Sequence, residues 1–155
     1  MRTIALPLLA AAALSGVAAS PALANETRAE ARAGVQWLPG QTEATAGVAA
    51  GYDFDLGPMA FSGVEVSADK ALGSGYKTSF GFHGRAGVNL AGTKLYGVGG
   101  YTTEPCDNCR GGWDLGAGAQ MALMGPLYGK VEYKHQFVDQ SRDRDTLLAG
   151  VGIRF

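Results

Sequence analysis

From Ala31 onward the chain alternates apolar residues with polar or very small ones, and turn residues cut the alternation into eight runs. A period of two marks a β-strand whose two faces meet different surroundings. The runs are ARAGVQW (31–37), EATAGVAAGYDF (43–54), MAFSGVEVSA (59–68), YKTSFGFHGRAGVNL (76–90), KLYGVGGYT (94–102), WDLGAGAQMAL (113–123), LYGKVEYKHQF (127–137) and DTLLAGVGIRF (145–155). After the second, fourth and sixth runs come the short turns Leu56-Gly57-Pro58, Ala91-Gly92-Thr93 and Met124-Gly125-Pro126. After the third, fifth and seventh come the longer polar loops DKALGSG, TEPCDNCRGG and VDQSRDRD. The connection around Pro39-Gly40-Gln41 is also short. Short turns at one end and longer loops at the other predict an all-β, eight-stranded antiparallel up-and-down barrel.

One face carries Val48, Tyr52, Phe54, Val64, Val66, Phe80, Phe82, Trp113, Leu115, Val131 and the alternate residues from Leu147 to Phe155. The other carries Arg32, Glu65, His83, Arg85, Asn89, Asp114, Gln120, Lys130, Glu132, Lys134 and Arg154, with glycines between them. A soluble periplasmic barrel holding an apolar ligand would turn the first face inward, and a transmembrane barrel turns it outward. Three features favour the membrane. The polar face is rich in Gly rather than in the Lys, Thr and Ser of a solvated strand. Its charges mix signs, as a narrow interior requires if ion pairs are to compensate one another. Aromatics gather near strand ends: Trp37, Trp113 and Phe137 toward the long loops, Tyr52, Phe54, Tyr96 and Phe155 toward the short turns, as an interfacial girdle does. Phe61, Tyr101 and Tyr128 fit neither parity, and their direction stays open.

Composition sharpens this picture. The chain has 24 glycines among 155 residues, about twice the roughly 7% of average usage. There is no G-x-y period, and glycine inside a strand marks a bend or a close approach of backbone. The start reads as a secretory leader over residues 1–24: Arg2, the uncharged IALPLLAAAALSGVAA, then Ala22-Leu23-Ala24 as the cleavage site. The barrel domain then spans 25–155. The formal net charge of −1 implies no general attraction to nucleic acid. No apolar run after Ala24 reaches the ~18 residues of a spanning helix.

Four groups could carry chemistry. Cys106 and Cys109 form a C-x-x-C, but Pro105 before and Arg110-Gly111-Gly112 after leave no helix to lower a thiol pKa. A disulfide at a loop tip is the expected state, with metal-contacting thiols or redox function as alternatives. His135 in YKHQF suggests a lipid-modifying enzyme of the lipid A deacylase kind, but Phe137 stands where that family places Ser, and Ser141 lies in the next loop. The inward set Arg32, Glu65, Arg85, Lys130, Glu132 and Arg154 reads either as an ion-paired plug or as a polar path for ions and small solutes; eight strands leave an interior that side chains fill, which favours the plug. Asp139, Asp143 and Asp145 could hold Ca²⁺, but Arg142 and Arg144 between them favour a solvated charged loop. No cofactor is implied.

The segments SFGFHGRAGVNL, LYGVGGYT, GWDLGAGAQMAL, GPLYGKVEY and DRDTLLAGVGIRF resemble the small outer-membrane β-barrels of the OmpA-like, opacity-type porin family of proteobacteria. The resemblance implies an integral outer-membrane barrel with both termini periplasmic and no enzymatic activity. Its implied partners are outer-membrane lipid, the outer-membrane assembly machinery and periplasmic chaperones, and a host or surface ligand is left open. It also implies that the terminal strand, with Val151, Ile153 and Phe155, is the aromatic-ended signal read during assembly. The chain lacks the peptidoglycan-binding domain of full OmpA, so tethering to the cell wall is not expected.

Overall fold

The computed structural model describes residues 25–139 and 143–155. The expected leader and the loop residues Gln140, Ser141 and Arg142 lie outside that description. Every regular element described is a strand: β1 (Glu26–Leu38), β2 (Gln41–Asp55), β3 (Ala60–Ala71), β4 (Thr78–Leu90), β5 (Thr93–Thr102), β6 (Gly112–Ala122), β7 (Leu127–Phe137) and β8 (Arg144–Arg154). Each strand pairs antiparallel with the next, and β8 returns to β1, so the sheet closes as a barrel. Closure pairs every edge, the condition for a sheet to cross lipid. The last turn of the seam is held by Thr27 and Phe155, which exchange backbone hydrogen bonds of 3.0 and 2.9 Å.

The alternation locates the strands well except at the start. β1 begins at Glu26, five residues before the expected run. Its first half, Glu26, Arg28, Glu30 and Arg32 alternating with Thr27, Ala29 and Ala31, alternates charge against small residues, so the apolar mark of a strand is missing. Two turns are set by local chemistry. Pro39-Gly40, with Gly40 at φ 87°, has the Pro-Gly signature of a type II turn. Ala91-Gly92, at φ 50° and 88°, makes a two-residue hairpin with both central residues left-handed, as a primed turn demands.

The face assignment is inverted relative to a soluble protein. Val48, Val64, Val66, Phe80, Phe82, Leu115, Val131 and Val151 lie exposed on the outside, while charged residues fill the interior. A soluble barrel around an apolar ligand is thereby excluded. Trp37, Trp113 and Phe137 point outward at the loop end, and Tyr52, Phe54 and Phe155 at the turn end. Tyr101 joins the first group, its ring edge-on to Trp113 at 5.6 Å. Tyr96 does not join the second. It points inward and is 4% exposed, because Gly97 and Gly99 take the outward positions of β5 and leave Tyr96 and Val98 inside. Phe61 and Tyr128 also point inward.

Candidate functional site

The lumen is where polar chemistry concentrates, and glycine organises it. A side chain on one strand reaches across the next strand to a partner two strands away, and the residue it crosses is an inward-facing glycine. Arg28 pairs in register with Gly51, and Gly51 with Glu65; Arg28 Nη1 donates to Glu65 Oε2 at 2.7 Å over that glycine. Arg32 reaches Asp69 over Gly47, with Nε to Oδ1 at 2.8 Å and Nη2 to Oδ2 at 2.5 Å. Arg85 holds Asp53 with a two-pronged contact over Gly63, Nε to Oδ1 at 2.9 Å being one prong. His83 meets Asp114 over Gly100 at 2.9 Å. Tyr96 donates to Glu132 over Gly118, and Tyr128 to Glu30 over Gly152, both at 2.8 Å. The rings of Phe61 and Tyr96 meet edge-on over Gly87 at 6.3 Å.

The spacing has a steric reason. In-register inward side chains on adjacent strands stand side by side and occupy the wall, so a bond between second neighbours needs the middle position empty. A Cβ at Gly51 would fall on the Arg28 guanidinium, one at Gly63 on the Asp53 carboxylate, and one at Gly118 on the Tyr96 ring and hydroxyl. At Gly51, Gly63 and Gly118 the missing side chain thus makes room for a second-neighbour bond, whereas at Gly34, Gly87, Gly100 and Gly116 a Cβ would first meet the backbone of the neighbouring strand.

All of these bridges but His83–Asp114 fuse into one network with Glu65 near its centre. Its carboxylate accepts from Arg28 at 2.7 Å, Arg32 at 2.8 Å and Lys130 at 3.2 Å. Lys130 also meets Glu30 at 2.5 Å and Glu132 at 3.4 Å. Toward the turn end, Asp53 accepts from Arg85 and from Lys94 at 2.7 Å, and Lys94 also reaches Glu26 at 2.9 Å. Arg85 lies 4.8 Å from the Tyr96 ring centre and 5.4 Å from that of Phe61, so it has cation–π contacts beside its carboxylate partner. Arg154 sits at the turn-end mouth, half-buried, 3.5 Å from Glu26.

Of the inward set expected from sequence, Arg32, Glu65, Lys130 and Glu132 meet in the central cluster, Arg85 stands one layer away, and Arg154 lies at the rim. Sequence reading missed Arg28, Glu30, Asp53, Asp69 and Lys94. For Arg28 and Glu30 the signal was present as the charge alternation through Arg32. Cys106 and Cys109 are disulfide-bonded, with Cα atoms 4.9 Å apart. Their loop packs on the β3–β4 loop through an ion pair between Lys77 and Asp107 and a 2.7 Å bond from Lys77 N to Pro105 O.

His135 is on the outside, between exposed Tyr133 and Phe137. Its Nδ1 is 2.7 Å from Asp145 Oδ1, the same oxygen that accepts from the Tyr133 hydroxyl at 2.5 Å. Its Nε2 is 3.7 Å from Asp143, so both ring nitrogens face carboxylates. The ring of Phe137 packs edge-on at 4.6 Å where a deacylase would carry its nucleophile. Ser141 lies outside the described residues.

A closed barrel with an apolar exterior, aromatic rims and a charged interior defines a transmembrane β-barrel. The chain belongs to the family described as the outer membrane protein beta-barrel domain, which matches residues 9–155, and its location is the bacterial outer membrane. Its fold is similar to that of Ail, the attachment invasion locus protein of Yersinia pestis, at TM-score 0.60 and 13% identity over 84% of this chain and 98% of Ail. The N-terminal barrel domain of Pseudomonas aeruginosa OprF matches at TM-score 0.57 and 14% identity, over 83% of this chain and 97% of that one. Neisserial surface protein A matches at 0.56 and 11%, over 84% and 97%. No curated protein sequence matches the chain significantly.

Proposed function

We propose that this barrel is a non-conducting element of the outer membrane with a structural or surface-interaction role, in envelope integrity or adhesion. The occluded lumen supports the reading most directly. Arg28, Arg32, Glu65, Lys130 and Glu132 are between 0 and 3% exposed; in a water-filled pore they would be wet. Charges withdrawn from water hold their positions only while paired, and here the pairs span the barrel from wall to wall. The name of Ail, an attachment protein of the same fold, is in keeping with the surface-interaction side. Planar-bilayer recording of the refolded protein should show no steady single-channel conductance, and a steady open level would overturn the plugged reading in favour of a narrow pore.

The same reading includes the assembly machinery and periplasmic chaperones as partners during biogenesis. Val151, Ile153 and Phe155 form an outward apolar row on β8 and its end, suited to recognition before the seam with β1 closes. Phe155→Ala should lower the amount of protein reaching the outer membrane while leaving the stability of the folded barrel nearly unchanged. Normal membrane levels would remove Phe155 from that role.

A further inference from the structure

At the loop end the lumen opens into a cavity of about 50 Å³ lined by Asp69, Asp114, Lys134, Gln136, Arg144 and Thr146 among others. A water needs about 10–15 Å³ on this measure, so the space suits a few waters or one tetrahedral anion.

Its charges are unevenly satisfied. Asp69 is held by both prongs of Arg32 and by Ser67 Oγ at 3.0 Å. Asp114 is held by His83 at 2.9 Å and by the Thr102 hydroxyl at 2.5 Å. The two cations are held less fully. Lys134, 6% exposed, forms no hydrogen bond among the described residues, and its nearest carboxylate oxygen, on Glu132, is 3.7 Å away. Arg144, 4% exposed, donates Nη2 to the carbonyl of Arg110 at 2.6 Å and meets no carboxylate within salt-bridge distance among the described residues. Gln136 Nε2 is turned to the carbonyls of Thr102 and Gly112. Two buried cations at one small polar cavity, with the cavity's carboxylates already engaged, leave donor capacity and positive charge for an anion.

We propose that this vestibule binds one small oxyanion group, a phosphate or sulfate, between Lys134 and Arg144. The ligand is either a free ion or the terminal group of an ester whose remainder lies in the open mouth. The site deepens the surface-interaction reading but does not depend on the central plug: failure of the plug would appear as conductance, and failure of this site as loss of anion binding.

Calorimetric titration of the barrel, refolded in an uncharged glucoside detergent, with orthophosphate, sulfate and glycerol phosphate tests it. Saturable one-to-one binding of an oxyanion is expected, and Lys134→Gln or Arg144→Gln should each weaken it about tenfold, the loss of one charge-assisted contact. Lys134→Arg should retain binding, and Lys77→Gln, in the outer loops, should leave it unchanged. Heat-modifiable mobility on gels shows that each variant is folded. Binding of orthophosphate without glycerol phosphate supports the free ion, and binding of both supports an ester terminus. No saturable binding by the wild-type barrel, or full affinity in the folded double variant Lys134→Gln, Arg144→Gln, overturns the proposal.

Discussion

Glu65→Leu should destabilise the folded barrel by about 3–5 kcal/mol, the cost of leaving a buried charge without its partner. Leucine fills much of the same volume, so the loss is electrostatic rather than a cavity effect. Three cations lose an acceptor at once: Arg28, Arg32 and Lys130. Asp69 still holds Arg32, and Glu30 and Glu132 still face Lys130. Arg28 fares worst. Its other carboxylates are Asp53 at 3.6 Å and Glu30 at 3.9 Å, and its Nε and Nη2 have no hydrogen-bond acceptor among the described residues. Adding Arg28→Met to Glu65→Leu should therefore recover part of the loss, since removing both members of a buried pair is often close to neutral. Urea unfolding of the barrel from lipid vesicles measures both effects. A loss below about 1 kcal/mol, the range of solvent-exposed pairs, would mean that water reaches Glu65, and the plugged lumen would fall with it.

The distinction between structure and site runs along one physical line. Strands, turns and outward faces were readable because they depend on residues adjacent in sequence: period two, a Gly-Pro turn, a run of outward Val and Phe. What sequence does not show is what a neighbour on another strand decides. Tyr96 sits at a strand position that an interfacial ring could also occupy; Gly97 and Gly99 take the outward parity of β5, and inside the barrel the Tyr96 hydroxyl meets Glu132 over Gly118. Phe61 and Tyr128 likewise face inward, beside Gly87 and Gly152. The charged start of β1 carries the period of two in Glu26, Arg28, Glu30 and Arg32, but has no apolar face to mark it as a strand. His135 and Asp145 are ten residues apart in sequence, and nothing short of the β7–β8 register makes them partners.

The glycines show the same limit most clearly, and they carry the second large prediction. Gly118→Ala should cost about 1–3 kcal/mol, the range for overpacking a filled interior, even though alanine is ordinarily the better strand residue by roughly 0.5–1 kcal/mol. The added methyl would meet the hydroxyl oxygen of Tyr96 at 2.5 Å and its Cζ at 2.6 Å, and the ring cannot move aside without leaving Glu132. All three of the nearest atoms belong to the Tyr96 side chain, so the conflict is removable. In a Tyr96→Ala background the same Gly118→Ala change should be neutral or stabilising, giving a coupling of about 1 kcal/mol or more between positions on neighbouring strands. Gly97→Ala is the control: it faces outward on β5, its nearest neighbour is the Gly116 carbonyl oxygen at 3.9 Å, and it should change little. Equal costs of Gly118→Ala with and without the Tyr96 ring would show that the glycine answers to the backbone, and the rule that inward glycines clear the way for second-neighbour bonds would fail at the position where it is most directly exposed to test.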